Sequence, residues 1–551
     1  MKRLFSLGGG LVENAPRSRL SLCMITRDEE DFLPNCLASV QGVVDEIVIV
    51  DTGSKDQTVD VARRFGAVVC HLAWADDFAA ARNASLEMAT REWVLVLDAD
   101  EELHPDDRGR LGDLLDNQEV EAYLVQVYNF VGEPSHPDVE ISASLRLFRN
   151  RKEYRFSGVL HEQIGENILK ARPGTNLPPS GLRINHFGYL SGLRKAKSRS
   201  ERNLGLALAQ AEASPDDAFV RFNLGVEYMR LDRHAEALRN LELAQTLMQR
   251  GAMWGCKLVK TAALCLIKLN RWDEALARIE SWLAEYPDFT DLVYLEGVVH
   301  QHQGRPTRAA GCFYQCAAMG PPPVPPYGAV EEGLATFKAH YGLGQAYEGM
   351  GRPQQAIQAY QDAVAASPHW PQPLYRIGAL LLAQGGAEAA KAHLERLLDR
   401  TRPEHLLILA DIFCLAGGYD IALSYLDLAS QAGSPTPQIH YLRGICYLRT
   451  GRHGAAGAEF LEVPEDSAYF QQAALGLSFC YWSEDRLDEA RSALKKMGAD
   501  DRTYIALAEM FLREAADVLR EGLKRFPTAQ VLKKALAGLE DGGMAADRAS
   551  T

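Results

Sequence analysis

Up to about Tyr189 the chain alternates short apolar, β-branched runs with stretches whose apolar residues recur every three or four positions. Six runs read as strands: Leu20 to Thr26, Glu46 to Asp51, Ala67 to His71, Trp93 to Asp98, Ala122 to Asn129 and Ser144 to Phe148. Strands separated by helical stretches predict a layered α/β domain, because each helix hides one apolar face against the sheet. After Leu190 the strand signals nearly vanish. Ala, Leu, Gly and Tyr then recur at helical spacing, so the second part of the chain reads as all-α.

The helical part is also periodic over a longer distance. Ala237, Ala275, Ala309, Ala356, Ala390, Ala422, Ala456 and Ala490 follow one another at steps of 38, 34, 47, 34, 32, 34 and 34. Thirty-four residues is the period of a tetratricopeptide repeat, and the longest step contains a proline-rich insertion between Gly320 and Gly328. The fullest unit starts near Phe337, with Leu343, Gly344 and Tyr347 on a first helix, Ala356, Tyr360 and Ala363 on a second, and Pro368 at its close. Small residues let paired helices approach, and aromatics fill the space between units. The same spacing returns at Gly225, Tyr228 and Ala237, at Gly297 and Ala309, at Gly444, Tyr447 and Ala456, and at Tyr481 and Ala490. Eight units resemble tetratricopeptide repeats, and a degenerate ninth around Ala515 and Pro527 is expected to cap the array.

Length agrees with this division, since 551 residues are too many for one core. The expected boundaries are 1–190 for the α/β domain, 191–216 for a basic helical linker, 217–530 for the repeats, and 531–551 for a C-terminal helix end and disordered tail. A formal charge of -14 excludes a broad electrostatic grip on nucleic acid or anionic lipid. Most of that deficit lies in residues 1–190, with 20 Lys+Arg against 30 Asp+Glu. Against this background Arg194, Lys195, Lys197, Arg199 and Arg202 stand out. They form either a solvated helix face or a strip that folds over an anion or docks the first domain on the first repeat. No run reaches the roughly 18 apolar residues of a membrane span, and Gly8, Gly9 and Gly10 interrupt the apolar start, so a cytoplasmic location is expected. Ten cysteines without a Cys-x-x-Cys pair argue against a disulfide framework or a zinc ribbon and read as small buried apolar groups.

Candidate chemistry gathers at the predicted strand ends, where open α/β sheets bind ligands. The first strand runs into Thr26-Arg27-Asp28-Glu29-Glu30 and the second into Asp51-Thr52-Gly53-Ser54-Lys55-Asp56. Asp51 is placed to accept hydrogen bonds from a base or ribose, or else to cap a turn together with Ser54. Trp93 to Leu97 ends in Asp98-Ala99-Asp100-Glu101. Two carboxylates one residue apart can face one divalent cation, although solvated acidic loops use the same spacing.

In this order the segments resemble the family 2 glycosyltransferases of the GT-A fold. The resemblance is carried by Thr26 to Glu30, Val48 to Thr58, Trp74 to Asn83 (Trp-Ala-Asp-Asp-Phe-Ala-Ala-Ala-Arg-Asn), Leu97 to Glu101, Phe156 to Glu162 and Asn185 to Tyr189. It covers about 170 residues, from Leu20 to Tyr189, and departs from the common pattern at Asp28, where Asn is more frequent. What it implies is a GT-A nucleotide-sugar-binding domain followed by an all-α tetratricopeptide-repeat superhelix. It further implies an inverting transferase that uses Mn2+ or Mg2+ and a nucleotide-sugar donor, a UDP-sugar first among them. Thr26, Glu29, Asp51, Arg82, Asn83 and Asp98 would hold the donor, and Asp98, Asp100 and His186 the metal, with a capping or core histidine as the alternative for His186. Glu162 would be the general base, with His161 the second candidate. The repeats suit a protein or peptide, as acceptor or as a partner that locates the enzyme; no nucleic acid and no transmembrane segment are expected. Two other readings stay open: a repeat scaffold with a silent transferase domain, and a transferase acting on a cell-envelope glycan or lipid-linked acceptor.

Overall fold

The structure, a computed structural model, describes residues 19–132, 138–190, 193–249, 252, 254–320, 329–433, 436–496 and 515–537. Side chains of 193–199, which carry most of the basic cluster, lie outside the described residues, as do the glycines at 8–10, residues 321–328 of the proline-rich insertion and residues 538–551 of the expected tail. The chain divides into two compact units, Met1–Ser367 and Pro368–Thr551.

The first unit is built on a mixed sheet whose strands are β1 (Leu20–Thr26), β2 (Glu46–Asp51), β3 (Val68–His71), β4 (Trp93–Val96), β5 (Glu101–Leu103), β6 (Ala122–Val131), β7 (Asp138–Arg149), β8 (Pro179–His186) and β9 (Ala329–Glu331). Their order is β3-β2-β1-β4-β7-β6-β8-β5, with β9 added against β7. β1, β2, β3 and β4 are mutually parallel, β7 runs against both β4 and β6, and β8 is parallel to β6. The carboxyl ends of β1, β2, β4 and β8 therefore share one edge, which brings Thr26, Asp51, Asp98 and His186 to the same side of the sheet.

Both faces are covered, which explains why β1 and β4 are buried along almost their whole length and do not alternate. Leu20, Leu22, Met24, Trp93 and Leu95 pack with α1 (Leu33–Val40) and α2 (Thr58–Arg64). Cys23, Val94 and Val96 face the other way, into a cluster with Leu86 of α3 (Phe78–Met88) and, beyond α4 (Leu111–Asp116), Ile168 of α5 (Gly165–Ala171). Of the nine strands, β5, β8 and β9 were not among the expected ones. β8 shows an alternation, with Leu182 and Ile184 buried between polar neighbours.

Helices then follow in antiparallel pairs: α6 (Leu193–Ala213), α7 (Ala218–Arg230), α8 (His234–Leu247), α9 (Gly255–Lys268), α10 (Trp272–Glu285), α11 (Thr290–His302), α12 (Pro306–Met319), α13 (Phe337–Gly349) and α14 (Pro353–Ala366). The second unit continues the series from Gln372–Leu397, a span kinked at Gly386, to Ala515–Arg525. All eight alanines of the periodic series are completely buried. The glycines have a matching role: a Cβ built at Gly344 would fall into the Tyr360 ring, and one at Gly444 into the Phe460 ring.

The expectation of an all-α second part is corrected at one place. The long 47-residue step between Ala309 and Ala356 holds β9, which returns to pair with the start of β7, Glu331 opposite Glu140 and Ala329 opposite Ser142. Lys338 reaches both Asp138 and Glu331 at 2.7 Å, and Lys257 lies 3.4 Å from Glu140. Nearby, buried Lys260 pairs with buried Asp291, which also accepts the backbone N–H of Glu331. The irregular repeat thus ties the first helices of the array to the long β6–β7 hairpin. Three residues are too few to leave a strand pattern in the sequence.

Candidate functional site at the strand ends

The loops after β1 and β2 hold each other. Asp28 Oδ1 accepts from the Lys55 backbone N–H at 2.7 Å and Glu30 Oε2 from that of Gln57 at 2.8 Å, while the Glu29 N–H donates to Thr58 Oγ1 at 2.8 Å. Asp28 sits in the left-handed region at φ 55. Asp and Asn both tolerate that conformation, which accounts physically for Asp at a position where Asn is commoner. Asp51 is buried, and its carboxylate accepts from the N–H groups of Gly53 and Ser54 and meets His71 Nδ1 at 3.2 Å. It does cap its turn, and it does so at the carboxyl end of β2. Thr26 is buried beside it, and its Oγ1 has no hydrogen-bond partner among the described residues.

Arg82, on α3, is the centre of the charged cluster. Its Nη2 donates to Asp98 Oδ1 at 2.8 Å, its Nε donates to Glu162 Oε1, and its guanidinium stands 5.7 Å from the Phe156 ring centroid. Burial works against that charge, but Asp98 and Glu162 outweigh it and raise the Arg82 pKa. Buried Nη1 has no partner among the described residues. Asp98 is held well below the carboxylate range: burial opposes its charge, and Arg82 and Arg146 overcome that. Arg146 also pairs with buried Glu101 at 2.6 Å, whose other oxygen accepts the Asp98 backbone N–H. Burial pushes Glu101 up. Asn83 faces elsewhere. Its amide bonds the backbone of Phe156 in both directions, at 3.0 and 2.8 Å, and so fixes the segment that leads to Glu162.

Of the three expected metal ligands, Asp100 and His186 face each other, and Asp98 meets Arg82 and Arg146 with its two oxygens. His186 Nε2 faces Asp100 Oδ1 at 3.5 Å. Its Nδ1 lies 2.8 Å from Asn129 Oδ1, and the Asn129 amide donates to Glu140 O and Ser142 Oγ, so the oxygen is the end that faces the imidazole. Nδ1 then carries a proton and Nε2 is the nitrogen turned toward Asp100, the one that could ligate a cation once unprotonated; a second residue orients metal-binding histidines in this way. Burial opposes a charge on His186, yet Asp100 and the neighbouring carboxylates raise its pKa. A Cβ built at Gly188 would lie 2.8 Å from Asp100 Cγ and 2.9 Å from His186 Nε2, so only glycine leaves this space open. Asp100 and His186 fit a divalent cation on these grounds.

The two candidate bases are adjacent but differently held. Glu162 is nearly buried against Arg82. His161 turns away from it, to Glu227 of α7 at 3.0 Å, and adopts φ 55, a conformation that costs a bulky residue about 1 kcal/mol or more. Arg146, Glu101, Asn129, Gly188 and Glu227 were not singled out from sequence. Only Glu101 and Gly188 sat inside recognised motifs.

A second cluster of ligand-type side chains, Glu296, His300 and Cys312, lies between α11 and α12. Burial pushes its thiol up to about 12, which makes Cys312 a neutral core group. All ten cysteines are free. No helix among the described residues is long and apolar enough to cross a membrane.

Comparison with known proteins gives the same two parts. Residues 21–169 match the glycosyl transferase family 2 model, and residues 261–322, 337–370 and 416–469 match tetratricopeptide repeat models. The chain is similar to a TPR repeat-containing protein of Synechococcus elongatus, 38% identical over 216 residues, which are 38% of this chain and 52% of that relative. The match thus spans about half the length of that curated relative. It is also similar to the SPβ prophage-derived glycosyltransferase SunS of Bacillus subtilis, 25% identical over 52% of this chain and 68% of the relative. Among solved structures, glucosyl-3-phosphoglycerate synthase from Mycobacterium tuberculosis, in complex with Mn2+ and uridine diphosphate, aligns at 25% identity and a TM-score of 0.18 over 20% of this chain and 44% of its own. The chain carries a family 2 glycosyltransferase domain followed by tetratricopeptide repeats.

Proposed function

We propose that this chain is a cytoplasmic, metal-dependent, inverting glycosyltransferase that moves a sugar from a nucleotide-sugar donor, a UDP-sugar, to a protein or peptide brought in by the repeats. The observation that carries the reading is the pairing of Asp100 with His186 around the space left by Gly188, on the edge where Thr26 Oγ1 and Arg82 Nη1 also lack partners among the described residues. Buried polar atoms without partners call for a ligand or ordered water. Asp100 and His186 would hold the cation, with Asp98 the third donor of the set. A divalent cation bound there neutralises charge on a departing nucleoside diphosphate.

The chain's own residues do the rest. Arg82 is kept charged and offers Nη1 to an anion, which supports a role at the donor phosphates. Asp51 and Glu29 lie on the interlaced loops beside the expected base and ribose. Asn83 acts one step removed, through the Phe156 backbone. Glu162 is the base that takes the acceptor proton as the nucleophile attacks the anomeric carbon. In this structure it is paired with Arg82, so that pair must part, or share the carboxylate, for the proton to move. His161 faces Glu227 and is the weaker candidate on geometry.

A thermal-shift screen of nucleotide sugars with and without manganese tests donor and metal together. Stabilisation by one donor is expected only with the cation, and Asp100→Ala should lose both this shift and donor hydrolysis. Equal turnover by Asp100→Ala would sink the metal assignment.

A further inference from the structure

The first repeat departs from the others at one buried position. Two residues after the helix glycine, the repeats carry Val299 after Gly297, Ala346 after Gly344 and Cys446 after Gly444, all small or apolar and all fully buried. After Gly225 the same position holds Glu227, equally buried. A carboxylate in a repeat core is costly unless it is paired, so its partners identify its purpose. Those partners are His161 Nε2 at 3.0 Å and Arg230 Nη1 at 2.6 Å, both on Oε1.

Each partner leads to the strand-end site. His161 immediately precedes Glu162, and Leu160 before it is buried among Leu204, Ala207 and Ala211 of α6 and Val220 and Leu224 of α7. Arg230 Nη2 donates to the Tyr189 hydroxyl at 3.1 Å with its guanidinium 5.6 Å from that ring, and the Tyr189 ring lies edge-on to His186 at 4.7 Å. Two residues on one repeat helix thus touch the neighbour of the candidate base and the neighbour of a candidate metal ligand.

We infer that Glu227 and Arg230 are positioning residues of the transferase site, so that the first repeat forms part of the active-site wall as well as the start of the array. The inference rests on the transferase reading for its effect on turnover. The held geometry of the His161–Glu162 turn is independent of that reading. The turn adopts a left-handed conformation that its own sequence does not favour, and it is kept there by α6 and α7.

The full-length chain is compared with Glu227→Val, Glu227→Gln and Arg230→Met. Valine is the residue that another repeat uses at this position, so the fold should tolerate it. Donor hydrolysis is expected to fall about 10- to 100-fold in kcat for Glu227→Val and Arg230→Met while donor KM stays within about twofold. Glutamine keeps an acceptor for His161 and should restore most of the turnover. Hydrogen–deuterium exchange should quicken over residues 157–163 in Glu227→Val and over residues 186–190 in Arg230→Met, with exchange in the second unit unchanged. Should Glu227→Val fail to fold, Arg230→Met, at the exposed rim, carries the test. Wild-type kcat with unchanged exchange in the folded variants would overturn the inference. A wild-type chain that hydrolyses no nucleotide sugar would overturn the functional reading instead, and local exchange would still decide the positioning.

Discussion

Glycine makes room in both halves of this molecule, but for different things. In the repeats Gly344 admits the Tyr360 ring and Gly444 the Phe460 ring, apolar contacts that recur along the array. At the strand ends Gly188 admits the facing carboxylate and imidazole of Asp100 and His186, an arrangement that occurs once among the described residues. The first kind of contact stabilises a fold built from similar interfaces, and no single one decides what the chain does. The second sets two polar groups face to face at 3.5 Å, the pair proposed to hold the cation.

Adding one methyl group to each class separates the two. Gly188→Ala is expected to lower metal-dependent donor turnover about 100-fold or more, since displacement of a ligand by an ångström suffices for that. Its melting temperature should fall less than that of Gly444→Ala, because the methyl group added at buried Gly188 meets the ends of two polar side chains, which can turn away, and no packed ring. A large melting shift with normal turnover would make Gly188 a packing residue and erase the contrast. Gly444→Ala should do the reverse, destabilising by about 1–3 kcal/mol through overpacking against Phe460. Denaturant midpoints measure that loss, and turnover per folded molecule should stay at the wild-type value.

The smallest expected effect concerns the seam that joins the two textures within the first unit. Burial opposes the charge on Glu227, but the hydrogen bond from His161 and the charge of Arg230 overcome it and lower its pKa from the usual 4.5. Glu140 is lowered in the same sense, burial being outweighed by Lys257 and Lys260. A carboxyl that binds protons more weakly when folded stabilises the fold above its unfolded pKa, and that contribution disappears as pH falls through the folded value. The melting temperature should therefore be level above about pH 5 and decline below it. The decline should be shallower in Glu140→Gln. An equal decline in that variant would move the acid-sensitive groups elsewhere.

The repeat array was largely legible because its signals are local. The alanine period, the glycine on the preceding helix and the following aromatic all fall within one unit, and burial of all eight alanines follows directly. The α/β domain was legible as strands and as motifs at strand ends, for the same reason. β8 was passed over although its Leu182–Ile184 alternation was available, whereas β5 and β9 are too short to be read. The candidate site was legible as residue types. Asp98, Asp100, Glu162 and His186 each stood in a quotable motif, as did Arg82, but Arg146, Asn129 and Glu227, which hold these groups or their neighbours, did not.

Sequence by itself determined the two textures, the order of the strands along the chain and the side chains available at their ends, since backbone periodicity and turn chemistry depend on near neighbours. Tertiary structure decided which of them meet. Arg82 finds Glu162 80 residues away, Asn129 orients His186 across 57, and Glu227 reaches back 66 to His161. The irregular repeat step became a ninth strand because β7 offered it an open edge to pair with. Such pairings are set by sheet order and helix packing, which bring distant segments together without leaving any period in the sequence between them.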